Sequence, residues 1–75
     1  MPKARGFSRR SFGYAVRIER EKLRLSQEAF AERANVHRTY ISSIELGKVS
    51  VGLDVANSLA VALGMKFSEL IRKAE

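Results

Sequence analysis

The stretch SQEAFAERANVHRTYISSIELG, residues 26–47, decides how this chain folds. It opens on Ser26, whose hydroxyl can accept a bond from an amide of a helix's first turn, and continues with Gln27 and Glu28, where an acid suits the positive end of the helix dipole. Phe30, Ala31 and Ala34 then share one face, so the spacing predicts a helix over about residues 27–34. Asn35 follows where a left-handed residue would close that helix, a conformation Asn tolerates better than most side chains. A further helix is expected from Arg38 to Leu46, with Ile41 and Ile44 on its inner face, Val36 packing just ahead of them and Gly47 ending it. Only Asn35, Val36 and His37 join the two helices, and so short a connection with a left-handed position forces a sharp crossing instead of an antiparallel hairpin.

Working outward, the helical pattern upstream begins at Ser11. Phe12, Val16 and Leu23 fall on one side with Tyr14 and Ile18 flanking, and this first helix closes near Leu23 or Arg24. Residues 1–10 hold the single Pro, a Gly and no acid, without an apolar period, and read as a mobile basic arm. Downstream, Leu53, Ala56, Leu59, Ala60 and Leu63 mark a fourth amphipathic helix stopped by Gly64. A last short helix over about residues 67–73 buries Leu70, with Phe67 and Ile71 as further candidates. No β-alternation and no internal repeat competes, so the expectation is an all-α, compact five-helix domain over residues 11–75 behind an arm over residues 1–10.

Composition bounds the chemistry. A chain of 75 residues removes only about 60% of its unfolded surface from water, which leaves little room for a second domain, a deep cleft or an enclosed cofactor. Without Cys there is no disulfide, thiol nucleophile or thiolate zinc site, and a single His builds no metal cluster by itself, so neither catalysis nor a cofactor is expected. The longest apolar run, residues 59–63, is far short of the roughly 20 residues a membrane-spanning helix needs, and the chain reads as soluble and cytoplasmic. Fourteen Lys and Arg face eight Asp and Glu for a net charge of +6. Eight of those cations and only two of the acids fall within residues 1–24, a concentration that favours polyanions.

The outer side of the helix at residues 38–46 offers Arg38, Thr39, Ser42 and Ser43, short polar side chains and one Arg where a merely solvated helix would carry Lys and Glu. Two helices crossing sharply, the second with such a face, form a helix-turn-helix, and a helix of this kind fits the major groove of B-DNA with its side chains at base edges. The Ser-Gln-Glu start at residues 26–28, the Ile-x-x-Ile-Glu-x-Gly run at 41–47 and the Ala-Leu-Gly at 62–64 together resemble the phage-repressor and Cro-type helix-turn-helix family, also called the xenobiotic-response-element family. The resemblance covers about residues 12–72, and residues 38–42 look especially like restriction-modification controller proteins. It implies a lambda-repressor-like fold and a transcriptional regulator that binds a palindromic operator in double-stranded DNA as a homodimer, with RNA polymerase as a further candidate contact.

Position by position, the resemblance implies that Gln27 binds a phosphate or a nearby base, and that Arg38, Thr39, Ser42 and Ser43 face base edges, the two serines serving alternatively as small residues that permit close packing. Tyr40 would reach the backbone or a nearby base, His37 would cap locally or touch a phosphate, and Lys48, Arg9 and Arg10 would add DNA contacts. Arg20 and Glu45 look like the ion pair that ties the first helix to the recognition helix. Departures from the pattern stand at Arg24, where many members have Gly, at Glu19, where many have an apolar residue, and at Lys66, which replaces a capping Ser or Asp and predicts a late or frayed last helix. Val51, Val55 and Val61 fall at positions often polar in the family and point to a partner surface. The dimer interface is expected at Met65, Phe67, Leu70 and Ile71 with Val61 at its margin. The alternative is an antitoxin or adaptor module that uses the same fold chiefly to hold a protein partner, and a basic binder of nucleic acid without sequence preference is a further rival.

Overall fold

The computed structural model describes residues 8–75, and residues 1–7 of the expected arm lie outside them. Five helices follow in order: α1 (Arg9–Lys22), α2 (Gln27–Ala34), α3 (Arg38–Glu45), α4 (Leu53–Ala62) and α5 (Phe67–Lys73), with no strand among the described residues. α1 begins two residues earlier than the apolar pattern predicts, so Arg9 and Arg10 belong to its first turn and not to an arm. The cause is a cap written in serines: the Ser8 hydroxyl accepts from the Ser11 amide at 3.1 Å, and the Ser11 hydroxyl accepts from the Ser8 amide at 2.7 Å. Ser26 caps α2 in the same sense, accepting from the Ala29 amide at 3.0 Å.

The helix ends repeat one device. Asn35 (φ 59°), Gly47 (φ 72°) and Gly64 (φ 74°) take left-handed conformations, and the following amides of Val36, Lys48 and Met65 return to the carbonyls of Ala31, Ser43 and Ala60 at 3.0 Å each. Arg24 takes the same conformation with φ 58° after α1, at a cost of roughly 1 kcal/mol relative to Gly. α5 starts at Phe67 without the delay expected from Lys66, because the Glu69 carboxylate reaches back to accept from the Lys66 amide at 2.9 Å.

Phe12, Val16, Phe30, Ile41, Ile44, Leu59 and Leu70 form the centre of one shared core. Two apolar positions depart from their expected places. Leu23 lies at the end of α1 and is 45% exposed, and Leu53, the first residue of α4, is 75% exposed because the helix turns it away before the core begins at Ala56. Leu70 is fully buried in the chain's own core, as the pattern of the last helix predicts, and so presents no surface for the dimer interface also expected of it. Val51 and Val55 are likewise half-buried against the core, whereas Val61 stands exposed.

What fixes α3 in place is close packing on α1. A Cβ built at Gly13 would overlap the carbonyl oxygen of Ile44, so the two backbones meet where a side chain has no room. Near the end of α3, the Cα and Cγ of Arg10 lie against Gly47. Arg33 of α2 donates to the Ala62 carbonyl at 3.4 Å and joins that helix to the end of α4.

Candidate DNA interface

The sequence of α3 divides it by physical chemistry into two sides. Ile41 and Ile44 are 0% and 1% exposed and hold the inner side in the core, while Arg38 and Thr39 are exposed on the outer side with Ser42 and Ser43 half-buried beside them. Arg38 stands in the first turn, where neither the core nor an ion pair among the described residues engages its guanidinium. Tyr40 is half-buried against the core, so its ring is anchored from within the chain. His37 precedes the helix without capping it through its ring, whose Nδ1 lies 3.2 Å from the Thr39 hydroxyl. The main-chain carbonyl of His37 accepts from the amides of Tyr40 and Ile41.

The carboxylate of Glu45 gathers three elements. Arg20 of α1 grips it with two parallel bonds, Nε to Oε2 at 2.7 Å and Nη2 to Oε1 at 3.0 Å, and its remaining Nη1 donates to the Leu25 carbonyl at 2.7 Å. Gln27, at the start of α2, donates its amide Nε2 to the same Oε1 at 3.0 Å. The Arg20 side chain is 11% exposed and that of Glu45 is 3% exposed, so the pair is nearly withdrawn from solvent. The hydrogen bond to Glu45 keeps the Arg20 guanidinium charged to higher pH than usual, against an opposing effect of burial. Gln27, expected as a DNA contact, here braces the junction of α1, α2 and α3. Its place at the first position of α2, one turn from the Glu45 end of α3, is not visible in linear spacing.

The remaining cations are distributed around this centre. Lys48 is exposed just past α3, Arg10 is exposed against Gly47, and Arg9 is exposed one residue earlier on α1. The residue that sequence reasoning missed is Gly13. Its signal was available, since a glycine inside a helical pattern often marks a close backbone approach, but which backbone approaches is a tertiary fact. Among the described residues no group of three His, Cys, Asp or Glu could hold a metal ion, and no helix is long and apolar enough to cross a membrane.

With this geometry in place, the comparisons with known proteins are specific. The family model described as "Helix-turn-helix" matches residues 16–70. Control protein C.MunI of a Mycoplasma species is 42% identical over 59 residues, which span 79% of this chain and 80% of that protein. Control protein C.BamHI of Bacillus amyloliquefaciens is 43% identical over 61 residues, covering 80% and 75% respectively. Among solved structures, the restriction-modification controller protein C.AhdI from Aeromonas hydrophila superposes with a TM-score of 0.80 at 34% identity, covering 83% of this chain and 94% of that one. On these matches the chain belongs to the XRE-type helix-turn-helix family of DNA-binding transcriptional regulators.

Proposed function

We propose that this chain binds a palindromic operator in double-stranded DNA as a homodimer, each copy laying α3 in a major groove, and that it controls transcription in the manner of the restriction-modification control proteins it resembles. One observation carries the reading: α3 is locked by Ile41 and Ile44 on one side and by the Arg20–Glu45 pair at its end, so the outer side with Arg38, Thr39, Ser42 and Ser43 is held rigid for base edges. In this reading Arg38 donates two bonds to guanine O6 and N7, and Lys48, Arg9 and Arg10 follow phosphates. Gln27, His37 and Tyr40 contact the backbone at the entry of the helix. The two-fold contact uses the exposed Val61 with the half-buried Met65, Phe67 and Ile71. Acting on DNA, the protein works in the cytoplasm without a cofactor, and its complex meets RNA polymerase at or beside the operator.

The test is a selection from random duplexes followed by sequencing. The expected product is a palindrome whose half-sites lie about ten base pairs apart between centres, since two recognition helices must enter successive major grooves roughly 34 Å apart. Recovery of unenriched random sequence, or an asymmetric single site bound by a monomer, would overturn the reading.

A further inference from the structure

We infer that Tyr14 and Leu46, two exposed apolar side chains at the crossing of α1 and α3, form with Arg10 a seat for the sugar–phosphate backbone of DNA, a contact that rests on the groove reading above and extends it to α1. Tyr14 is 63% and Leu46 62% exposed, and both line one shallow depression together with Arg10, Ser11 and Glu45. Two large apolar groups bared side by side need an account, and the depression is amphipathic: a phenol and an isobutyl group beside a guanidinium. A nucleic-acid strand presents the complement, apolar deoxyribose faces alternating with anionic phosphates.

Charge supports the same occupant. Glu45 is the one carboxylate lining the depression, and it is consumed: Arg20 binds it through two nitrogens, Gln27 adds a third donor, and its side chain is 3% exposed. Arg10, the one cation lining the depression, has no acidic partner among the described residues, so the charge left on this face is positive. The ion pair that joins the helices therefore also withdraws the acid from this face. Among the described residues the Tyr14 hydroxyl has no hydrogen-bond partner, which leaves it available to donate to a phosphate oxygen.

Position supplies the rest. α3 with its side chains is about 10 to 12 Å across and the major groove about 12 Å wide, so a helix lying in it has the bounding strands close on either side along its length, the C-terminal end included. The Gly13–Ile44 approach presses α1 against the C-terminal end of α3, and this carries Tyr14 and Arg10 to the strand that the end of α3 meets. The contact reads no bases, because neither side chain is on α3's outer face.

Tyr14→Phe and Leu46→Ala test this by fluorescence anisotropy on the selected operator and on a scrambled duplex of equal length. Both positions are exposed, and matched melting curves establish that the variants fold. Tyr14→Phe should weaken both duplexes by about tenfold, as for one lost bond to a charged acceptor, and Leu46→Ala both by about threefold. Replacing the facing phosphate by a neutral methylphosphonate should abolish the effect of Tyr14→Phe while leaving that of Arg38→Ala intact. Arg38→Ala, which should lose affinity on the operator alone, separates the two ideas: if it weakens both duplexes equally the base-readout reading fails, yet equal losses for Tyr14→Phe still support the backbone seat. Unchanged affinity for either depression variant overturns the seat, and so does a loss confined to the operator or one seen only when RNA polymerase is present.

Discussion

At the residue scale, the groups that hold α3 are distinct from those proposed to read DNA through it, and substitutions should divide accordingly. Glu45→Ala leaves the Arg20 guanidinium nearly buried with the Leu25 carbonyl and a long, 4.0 Å approach to the half-exposed Glu21 carboxylate, and it should cost about 3 kcal/mol of stability, seen as a fall in the urea midpoint. Glu45→Gln keeps the shape and one acceptor and should cost less. Because the folded state holds Arg20 charged to higher pH than the unfolded chain does, its contribution is complete below the unfolded value and fades only as pH rises through the folded one. The midpoint should therefore show no loss attributable to Arg20 between about pH 6 and 9, far below any arginine titration. Arg38→Ala should behave in the opposite way: it leaves the melting curve in place and costs about 1 to 3 kcal/mol on the operator with little change on scrambled DNA. An Arg38→Ala protein that weakened both duplexes alike would make that side chain a phosphate contact.

At the scale of elements, the outcome turns on how closely α1 lies on α3. Gly13→Ala adds a methyl group that meets the Ile44 carbonyl, and main chain has no rotamer by which to yield. Ala improves helix propensity by about 1 kcal/mol, but the overlap must push the helices apart, so a net loss of about 2 kcal/mol is expected in thermal or urea unfolding. A rise in stability would show that α1 sits farther from α3 than described. The same crossing explains which parts of the fold were legible beforehand. α2 and α3 could be read because Ser26, Asn35, Gly47 and the Ile41–Ile44 spacing are local signals. The start of α1 was hidden, since the reciprocal cap of Ser8 and Ser11 uses Ser where the familiar pattern has Glu or Gln. Leu53 fits the apolar stripe of α4, and only the packing of that helix decides that it faces solvent; Leu70 was read both as core and as dimer contact, and its complete burial leaves only the first. In the candidate site, the outer residues of α3 followed from periodicity, whereas Gln27's bond to Glu45 needed the third dimension.

For the whole molecule, the open question is how a domain of this size reaches useful specificity, and the proposed answer is duplication. One eight-residue helix can touch only a few base pairs, and each good bidentate pair is worth about 1 to 3 kcal/mol, so a single copy discriminates weakly against a genome of competing sites. Two copies on one palindrome combine both sets of contacts. Leu70 cannot contribute to their junction because it is spent in the core, which leaves Val61, 68% exposed on α4, and the half-buried Met65, Phe67 and Ile71. Val61→Glu is the discriminating substitution: the side chain carries little of the fold, yet two copies related by a two-fold axis would bring two unpaired carboxylates towards one apolar contact. The variant should melt within a few degrees of the parent, sediment as a monomer at tens of micromolar where the parent is expected to be a dimer, and lose most of its preference for the full palindrome over a single half-site. A Val61→Glu protein that still dimerises would move the junction elsewhere, and a monomeric parent, with and without operator, would remove the dimer and with it the requirement for a palindrome.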